Sequence, residues 1–267
     1  MSEEATVLAA LDDGIATLTL NRPHAYNAFT KRMHAELIGA LKQAERDPAV
    51  RCIVITGAGK AFCSGQDLKE VPTDGSRSLG QSVRERYNPL VLKLRSIPKP
   101  IIAAVNGVAA GAGMSLALAC DFRVAVAGAR FVAAFANVGL VPDTALTYFL
   151  PRLIGHARAV ELCMLGGVLD AQTAQTYGMV NAVAGADEFA ATVQDLARRL
   201  ADGPATALGL MKRSLELSLS ADLATVLEYE AQAQQVAGGS PEYAEGVQAF
   251  REKRPPRFRA AQVGRVK

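Results

Sequence analysis

Asp143 is the single charged residue between Arg130 and Arg152, in the stretch GLVPDTALTYF at 139–149. A carboxylate among apolar neighbours has two readings. It can cap a helix, because Pro142 precedes it, a helical pattern follows, and Asp is a good N-cap. It can also be a general base, because apolar surroundings raise an aspartate's pKa and strengthen it as a proton acceptor. The pattern alone leaves both open. Two further stretches could do chemistry. KAFCSGQDLKE at 60–70 carries the chain into a Ser-Gly turn that could present a backbone N–H, and it places Cys63 and Ser64 as possible nucleophiles. No G-x-S-x-G surrounds Ser64 and no histidine is near it in sequence, which counts against nucleophilic catalysis.

NGVAAGAG at 106–113 reads as a strand, a small-residue turn and the start of a helix. The free N–H groups of such a helix start, with the positive end of the dipole behind them, suit a developing oxyanion. Tight strand–helix packing explains the same small residues equally well. TGAGKAF at 56–62 lacks the G-x-x-x-x-G-K-[ST] order of a phosphate loop, and no G-x-G-x-x-G is present. The four cysteines (Cys52, Cys63, Cys120, Cys163) and three histidines (His24, His34, His156) show no metal-ligand spacing. We therefore expect reduced, mostly buried thiols and no metal.

The elements that position these residues follow from periodicity. Residues 5–11 and 15–20 alternate and turn at 12–14, a hairpin. Met33, Leu37, Ile38, Leu41 and Ala44 share one helical face, with Thr30 as N-cap. RCIVITGAG is a buried strand, 57–76 a polar loop and about 77–97 a helix. IIAAVNG and DFRVAVA are strands on either side of the helix GAGMSLALAC. After residue 143 the pattern is almost wholly helical, with one short strand near GMVNAV. The helices fall at about 155–164, 171–177, 188–201, 204–218, 222–237 and 241–252. Strands alternating with helices argue an α/β core over 1–200, followed by a helical C-terminal region over 201–267.

The 267 residues are half hydrophobic and carry a net charge of +3, which suits one large core. No run of about 20 residues reads as a membrane span, and the N-terminus lacks a signal-peptide pattern. The expectation is a soluble cytoplasmic protein. The segment 250–267 holds seven basic residues and one acid, either a solvated tail or a patch for a small polyanion. Nucleic acid is disfavoured, because no groove-binding module is recognisable.

Taken together, NRPHAYNAF, GAGKAFCSGQDLKE, PKPIIAAVNGVAAGAGMSLALACDFRVA, GLVPD, LPRLIG and EGVQAFREKRPPRF resemble the crotonase (enoyl-CoA hydratase/isomerase) family over almost the whole chain. The resemblance implies an α/β spiral of ββα turns with a helical C-terminal trimerisation region. It also implies an acyl-CoA ligand, no cofactor beyond the CoA moiety, and a homotrimer or a dimer of trimers. The oxyanion-hole N–H groups would be those of Gln66 and Ala112. CoA contacts carry over to Arg22, Ala25, Ala61, Ser64, Gln66, Asp67 and Leu68, with Phe250 and Lys253 reaching a neighbouring subunit's CoA. The family's hydratases use two glutamates; their positions are Ser115 and Phe135 here, so hydration in the usual way is not expected.

GL-x-PD, LPRLIG and the tail are similar to the ring-epoxide isomerases of phenylacetate breakdown, whose base is the Asp at Asp143's place. That subgroup carries Ser-Gly-Gly-Thr next, whereas this chain has Thr144, Ala145, Leu146 and Thr147. Phe135 and Leu146 are expected to shape the acyl pocket. The resemblance therefore favours an acyl-CoA isomerase with Asp143 as proton shuttle. The alternatives are an enoyl-CoA hydratase with atypical residues and a catalytically silent CoA-binding subunit.

Overall fold

The computed structural model describes residues 4–70 and 78–263. Its strands are β1 (Val7–Asp12), β2 (Ile15–Leu20), β3 (Cys52–Gly57), β4 (Ala61–Cys63), β5 (Ile101–Val105), β6 (Val108–Ala110), β7 (Phe122–Val126), β8 (Arg130–Val132), β9 (Val168–Asp170) and β10 (Ala182–Ala184). They build a six-stranded sheet in the order β1-β2-β3-β5-β7-β10 and a four-stranded sheet in the order β4-β6-β8-β9. The β1–β2 and β8–β9 pairs are antiparallel and the rest parallel. Each of the pairs β3/β4, β5/β6 and β7/β8 gives its first strand to the large sheet and its second to the small one. That repeated step is the spiral.

The helices are α1 (Lys31–Arg46), α2 (Leu79–Ser82), α3 (Asn88–Ser96), α4 (Ala112–Ala119), α5 (Leu146–Ile154), α6 (His156–Met164), α7 (Ala171–Thr176), α8 (Ala186–Ala201), α9 (Ala205–Ser218), α10 (Leu223–Gly238), α11 (Pro241–Arg251) and α12 (Phe258–Val263). A π turn at Val83–Tyr87 joins α2 to α3. Among the described residues no helix is long and apolar enough to cross a membrane.

Alternation within strands splits the interior in two. In β3, Ile53 and Ile55 face the core shared with α1, α3 and α4, while Cys52 and Val54 face Val193, Ala197 and Ala201 of α8. In β5, Ile101, Ala103 and Val105 take the first face and Ile102 and Ala104 the second. A parallel sheet covered on both faces needs such unbroken apolar strands. Helix α1 follows its expected pattern: Thr30 Oγ1 accepts from Met33 N at 3.1 Å, and Met33, Leu37, Leu41 and Ala44 are buried. Helix α4 is buried on every side, which makes it the central helix of the molecule.

The structure corrects the sequence reading in several places. The polar loop of 57–76 contains β4, three buried residues; positions 71–76 of that loop, and position 77 of the expected helix, lie outside the described residues. Strands β6, β8 and β9 are three residues each, too short for a period of two to register. The region after Asp143 contains β9 as well as β10, and the helix α5 that the expected series lacked.

Helix α9 is fastened to the core by charge. Lys212 Nζ lies 2.8 Å from Asp121 Oδ2 and donates to Leu94 O at 2.9 Å. Arg95 joins Asp121 Oδ1 at 3.0 Å and Glu216 Oε2 at 2.7 Å. Asp121 Oδ2 also accepts from Ile101 N at 2.9 Å. Removing the acid from such a partly buried cluster leaves two cations without their shared partner. We expect Asp121→Ala to lower unfolding stability by about 3 kcal/mol, read as the shift in a urea titration, with α9 the first element to lose amide-exchange protection.

Candidate active site

Three chain segments meet at the start of α4, and two missing side chains let them. Gly65 has φ +93°, and a Cβ there would stand 2.9 Å from Ala110 O and 3.3 Å from Ala112 N. A Cβ on Gly113 would run into Cys63 O, far inside van der Waals contact. The turn after β4 and the first turn of α4 are thus in direct backbone contact. Phe29 and Gln66 form a parallel bridge: Phe29 N donates to Gly65 O at 2.7 Å and Asp67 N to Phe29 O at 3.0 Å. In such a bridge the N–H of Gln66 points away from Phe29.

Among the described residues the N–H groups of Gln66 and Ala112 have no acceptor. Helix α4 has Gly111 at its N-cap and no side-chain cap, although its first turn is buried. A buried helix start without a cap leaves N–H donors that need an outside oxygen. The two N–H groups belong to segments that touch, and among the described residues no oxygen accepts from either.

Asp143 is half-buried. Its Oδ1 accepts from Thr144 Oγ1 at 2.8 Å, and its main-chain oxygen accepts from Leu146 N at 3.0 Å. Ser115 Oγ, in α4, lies 3.1 Å from Asp143 O and 3.3 Å from Gly111 O. The base candidate is therefore tied through Ser115 to the helix that offers the free N–H. Burial raises the Asp143 carboxyl above the ordinary aspartate range, and the Thr144 hydrogen bond opposes that rise without cancelling it. The helix-cap reading fails. Helix α5 begins at Leu146 with Ala145 at its N-cap, and it has no side-chain cap. Thr144 (φ +53°) and Ala145 (φ +63°) are both left-handed, so two left-handed residues separate Asp143 from the first residue of α5.

The other expected site residues divide into groups. Ser115 and Leu146 have no exposed surface, and Leu146 packs in the main core. Phe135 is buried with its Cζ 3.9 Å from the Cβ position of Gly111, beside the α4 start. Arg22 pairs with Asp67 at 2.9 Å and donates to Ala28 O at 2.7 Å. Ser64 N donates to Tyr26 O and its Oγ to Ala25 O, so Ala25 and Ser64 are joined. Leu68 is exposed next to them. Ala61 is buried, and its carbonyl already accepts from Asn27 and Asn106. Phe250 and Lys253 lie apart from this group. Both are exposed at the end of α11, where Phe250 shares a groove with Tyr243 and Phe258.

The nucleophile reading has no support. Burial pushes the Cys63 thiol up to about 12, and Ser64 has no base beside it. Cys52 and Cys120 are likewise buried and pushed up to about 12. His34 is a buried core ring stacked on Phe29, held down to about 3 by burial and by Arg86. Among the described residues no cluster could hold a metal ion.

Three contributors escaped the sequence reading. Asn27 Oδ1 accepts from Arg22 N while its Nδ2 donates to Ala58 O and Ala61 O. Asn106 braces Gly57, Gly59 and Ala61. Tyr87 donates from the π turn to Gln66 Oε1. The two asparagines stand in NRPHAYNAF and IIAAVNG, motifs that mark the site, and nothing local marks Tyr87.

The comparisons accord with this geometry. A family model described as enoyl-CoA hydratase/isomerase matches residues 10–261. The chain belongs to the enoyl-CoA hydratase/isomerase family, whose fold and enzyme class it shares. It is 48% identical over 255 residues to the 1,2-epoxyphenylacetyl-CoA isomerase of Escherichia coli K12, covering 94% of this chain and 97% of that protein. It is 41% identical to a protein of Rhodobacter capsulatus described as a probable enoyl-CoA hydratase, with coverage of 95% and 97%. The crystal structure of an enoyl-CoA hydratase from Mycobacterium smegmatis superposes with a TM-score of 0.90 at 33% identity, over 96% of this chain and 100% of that one.

The left-handed pair gives a stability test. A non-glycine residue there costs roughly 1–2 kcal/mol, partly offset by glycine's greater freedom when unfolded. Ala145→Gly should raise stability by about 0.5–1 kcal/mol, seen as a higher melting temperature. A fall would mean that the Ala145 methyl contributes more by packing than its φ costs.

Proposed function

We propose that this enzyme is an acyl-CoA isomerase that shifts a double bond from the 3,4 to the 2,3 position of a CoA thioester. The observation that carries the proposal is Asp143: a half-buried carboxyl with raised proton affinity, engaged among the described residues in neither a cap nor an ion pair, and tied by Ser115 to the uncapped start of α4. In this reading the thioester oxygen accepts from the N–H of Gln66 and of Ala112. Asp143 removes the proton from the carbon next to the carbonyl, and negative charge develops on the thioester oxygen. Fixed donors in a water-poor site are worth most there; losing one such donor typically costs ~10²–10³ in rate. The protonated Asp143 then returns the proton two carbons further along.

A single carboxylate suffices for that exchange. Hydration as the family's two-glutamate enzymes perform it calls for a pair, and Ser115 and Phe135 occupy the two places. The 48% identity to an enzyme named 1,2-epoxyphenylacetyl-CoA isomerase supports a ring epoxide, converted to an oxepin, as one form of the substrate. Arg22, Ser64, Asp67 and Leu68 would border the CoA, and Phe250 and Lys253 would reach the CoA of a neighbouring copy.

Assembly follows from two exposed apolar faces. Val138, Leu140 and Val141 lie near Met164, Leu165 and Val168, the segments joined by Asn137 Nδ2 on Gly166 O and Ala133 N on Gly167 O. Met211, Leu215, Leu219, Leu223 and Leu227 form a second face on α9 and α10. Unlike faces meeting head to tail close a ring when the rotation between copies closes, and the resemblance implies a trimer. Light scattering should return three or six times the 28.1 kDa of one chain; a monomer overturns the assembly.

The catalytic test is Asp143→Asn. Loss of an acid–base group typically costs ~10²–10⁴ in rate, so 3-enoyl-CoA turnover, followed by the ultraviolet absorbance of the conjugated product, should collapse while acyl-CoA binding persists. Because burial raises the Asp143 pKa in the folded chain, the ionised form lowers stability as pH rises through that value. Asn carries no charge, so the variant should melt no lower than wild type at neutral pH. Wild-type kcat/KM should fall on the acid side at a pH above the ordinary aspartate value of about 3.9. Rapid hydration of crotonyl-CoA, or full activity of the variant, overturns the isomerase reading.

A further inference from the structure

Thr144 stands in an unusual place for its residue type. It is β-branched, 2% exposed, and held at φ +53°, a conformation that such residues adopt only when the surroundings impose it. Its hydroxyl donates to Asp143 Oδ1 at 2.8 Å. Among the described residues this is the carboxylate's single hydrogen-bond donor. The Asp143 backbone is fixed separately, by Leu146 N and Ser115 Oγ on its main-chain oxygen. The residue is thus anchored twice through its carbonyl and once through its carboxylate, and the last anchor comes from its own sequence neighbour.

We propose that Thr144 is a positioning residue for the Asp143 base, its hydroxyl engaging one carboxylate oxygen and leaving the other free to take the substrate proton. This rests on the reading of Asp143 as the base. The left-handed backbone at 144 is what makes the contact, because it swings the Thr144 side chain back beside the preceding carboxylate. A carboxylate without the contact could rotate about χ2, and a misplacement of about 1 Å can cost 10²-fold in rate. The hydroxyl also stabilises the ionised form, so it limits how far burial raises the pKa.

Among the described residues the elements around Asp143 supply no competing charge. Helix α4 and the turn Ala136–Val138 contain no titratable side chain. Arg152 of α5 lies over the Tyr148 ring and donates to Tyr148 O. Arg130 is exposed on β8. Among the described residues, burial and Thr144 are what act on the proton affinity of Asp143.

The test compares Thr144→Val, which keeps the branched shape and loses the hydroxyl, with Thr144→Ser, which keeps the hydroxyl. Three quantities are read: the ¹³C carboxyl titration of Asp143, assigned by its absence in Asp143→Asn; kcat/KM against pH with a 3-enoyl-CoA; and the Kd for a saturated acyl-CoA. In Thr144→Val the titration midpoint and the acid limb should both move to higher pH. Its kcat should fall about 10-fold or more, with Kd changed by less than about twofold. Thr144→Ser should keep the wild-type titration and most of the rate.

An unmoved titration with unchanged kcat in Thr144→Val overturns the proposal. So does a Ser variant as impaired as Val, since packing rather than the hydroxyl would then be responsible. If Thr144→Val does not fold, Thr144→Ala takes its place against Thr144→Ser under the same criteria. A wild-type protein that turns over no 3-enoyl-CoA would defeat the isomerase reading instead, and the carboxyl titration would still decide for or against Thr144.

Discussion

The contact between the end of β4 and the start of α4 is the constraint on which the rest of the structure depends. Two backbones can come this close only where no Cβ intervenes, and Gly65 and Gly113 supply that absence on either side. The spiral brings the segments together, because β4 and β6 are parallel neighbours in the small sheet and α4 follows β6 directly. The result is a pair of adjacent main-chain N–H groups from residues far apart in sequence. Their placement is maintained by side chains that do no chemistry, notably Asn27, Asn106 and Tyr87.

Against that rigid element stands a strained one. The turn that carries Asp143 places a β-branched residue and an alanine in the left-handed region, and it half-buries a carboxylate that has no cation beside it among the described residues. Each of these features opposes stability. A fold under selection for stability alone would replace them, and local strain of this kind commonly accompanies function. Ser115 links the two elements: a small hydroxyl on the central helix reaches the main chain of the strained turn. In the resemblance that same position belongs to a hydratase glutamate. Here a structural hydroxyl takes it, and it bonds to the main chain of the residue that carries the half-buried carboxylate.

The C-terminal helices relate differently to the rest. Helix α9 is held by Lys212, Arg95 and Asp121, a charged joint rather than an apolar one. Meanwhile α9 and α10 leave a row of leucines and methionine open to solvent. Charged contacts fix the orientation of a helix without using up its apolar surface. That surface thereby stays exposed on the chain.

The sequence by itself determined the elements with strong periodicity and the motifs with particular residue types. Helix α1 with Thr30 as its cap, the hairpin of β1 and β2, the strands β3, β5 and β7 and the uncapped start of α4 all follow from local spacing. The same is true of Asp143 as an isolated carboxylate among apolar residues. What the sequence could not determine were contacts whose partners lie far apart along the chain or elements too short to repeat. Strands β4, β6, β8 and β9 are each three residues, and the second sheet exists only once all four pair. Tyr87 reaches Gln66 because a π turn rotates it there, across 21 positions of chain. Whether Asp143 capped α5 depended on backbone angles at Thr144 and Ala145, two residue types that ordinarily avoid φ above zero. The surrounding core imposes those angles, so only the tertiary structure could exclude the cap.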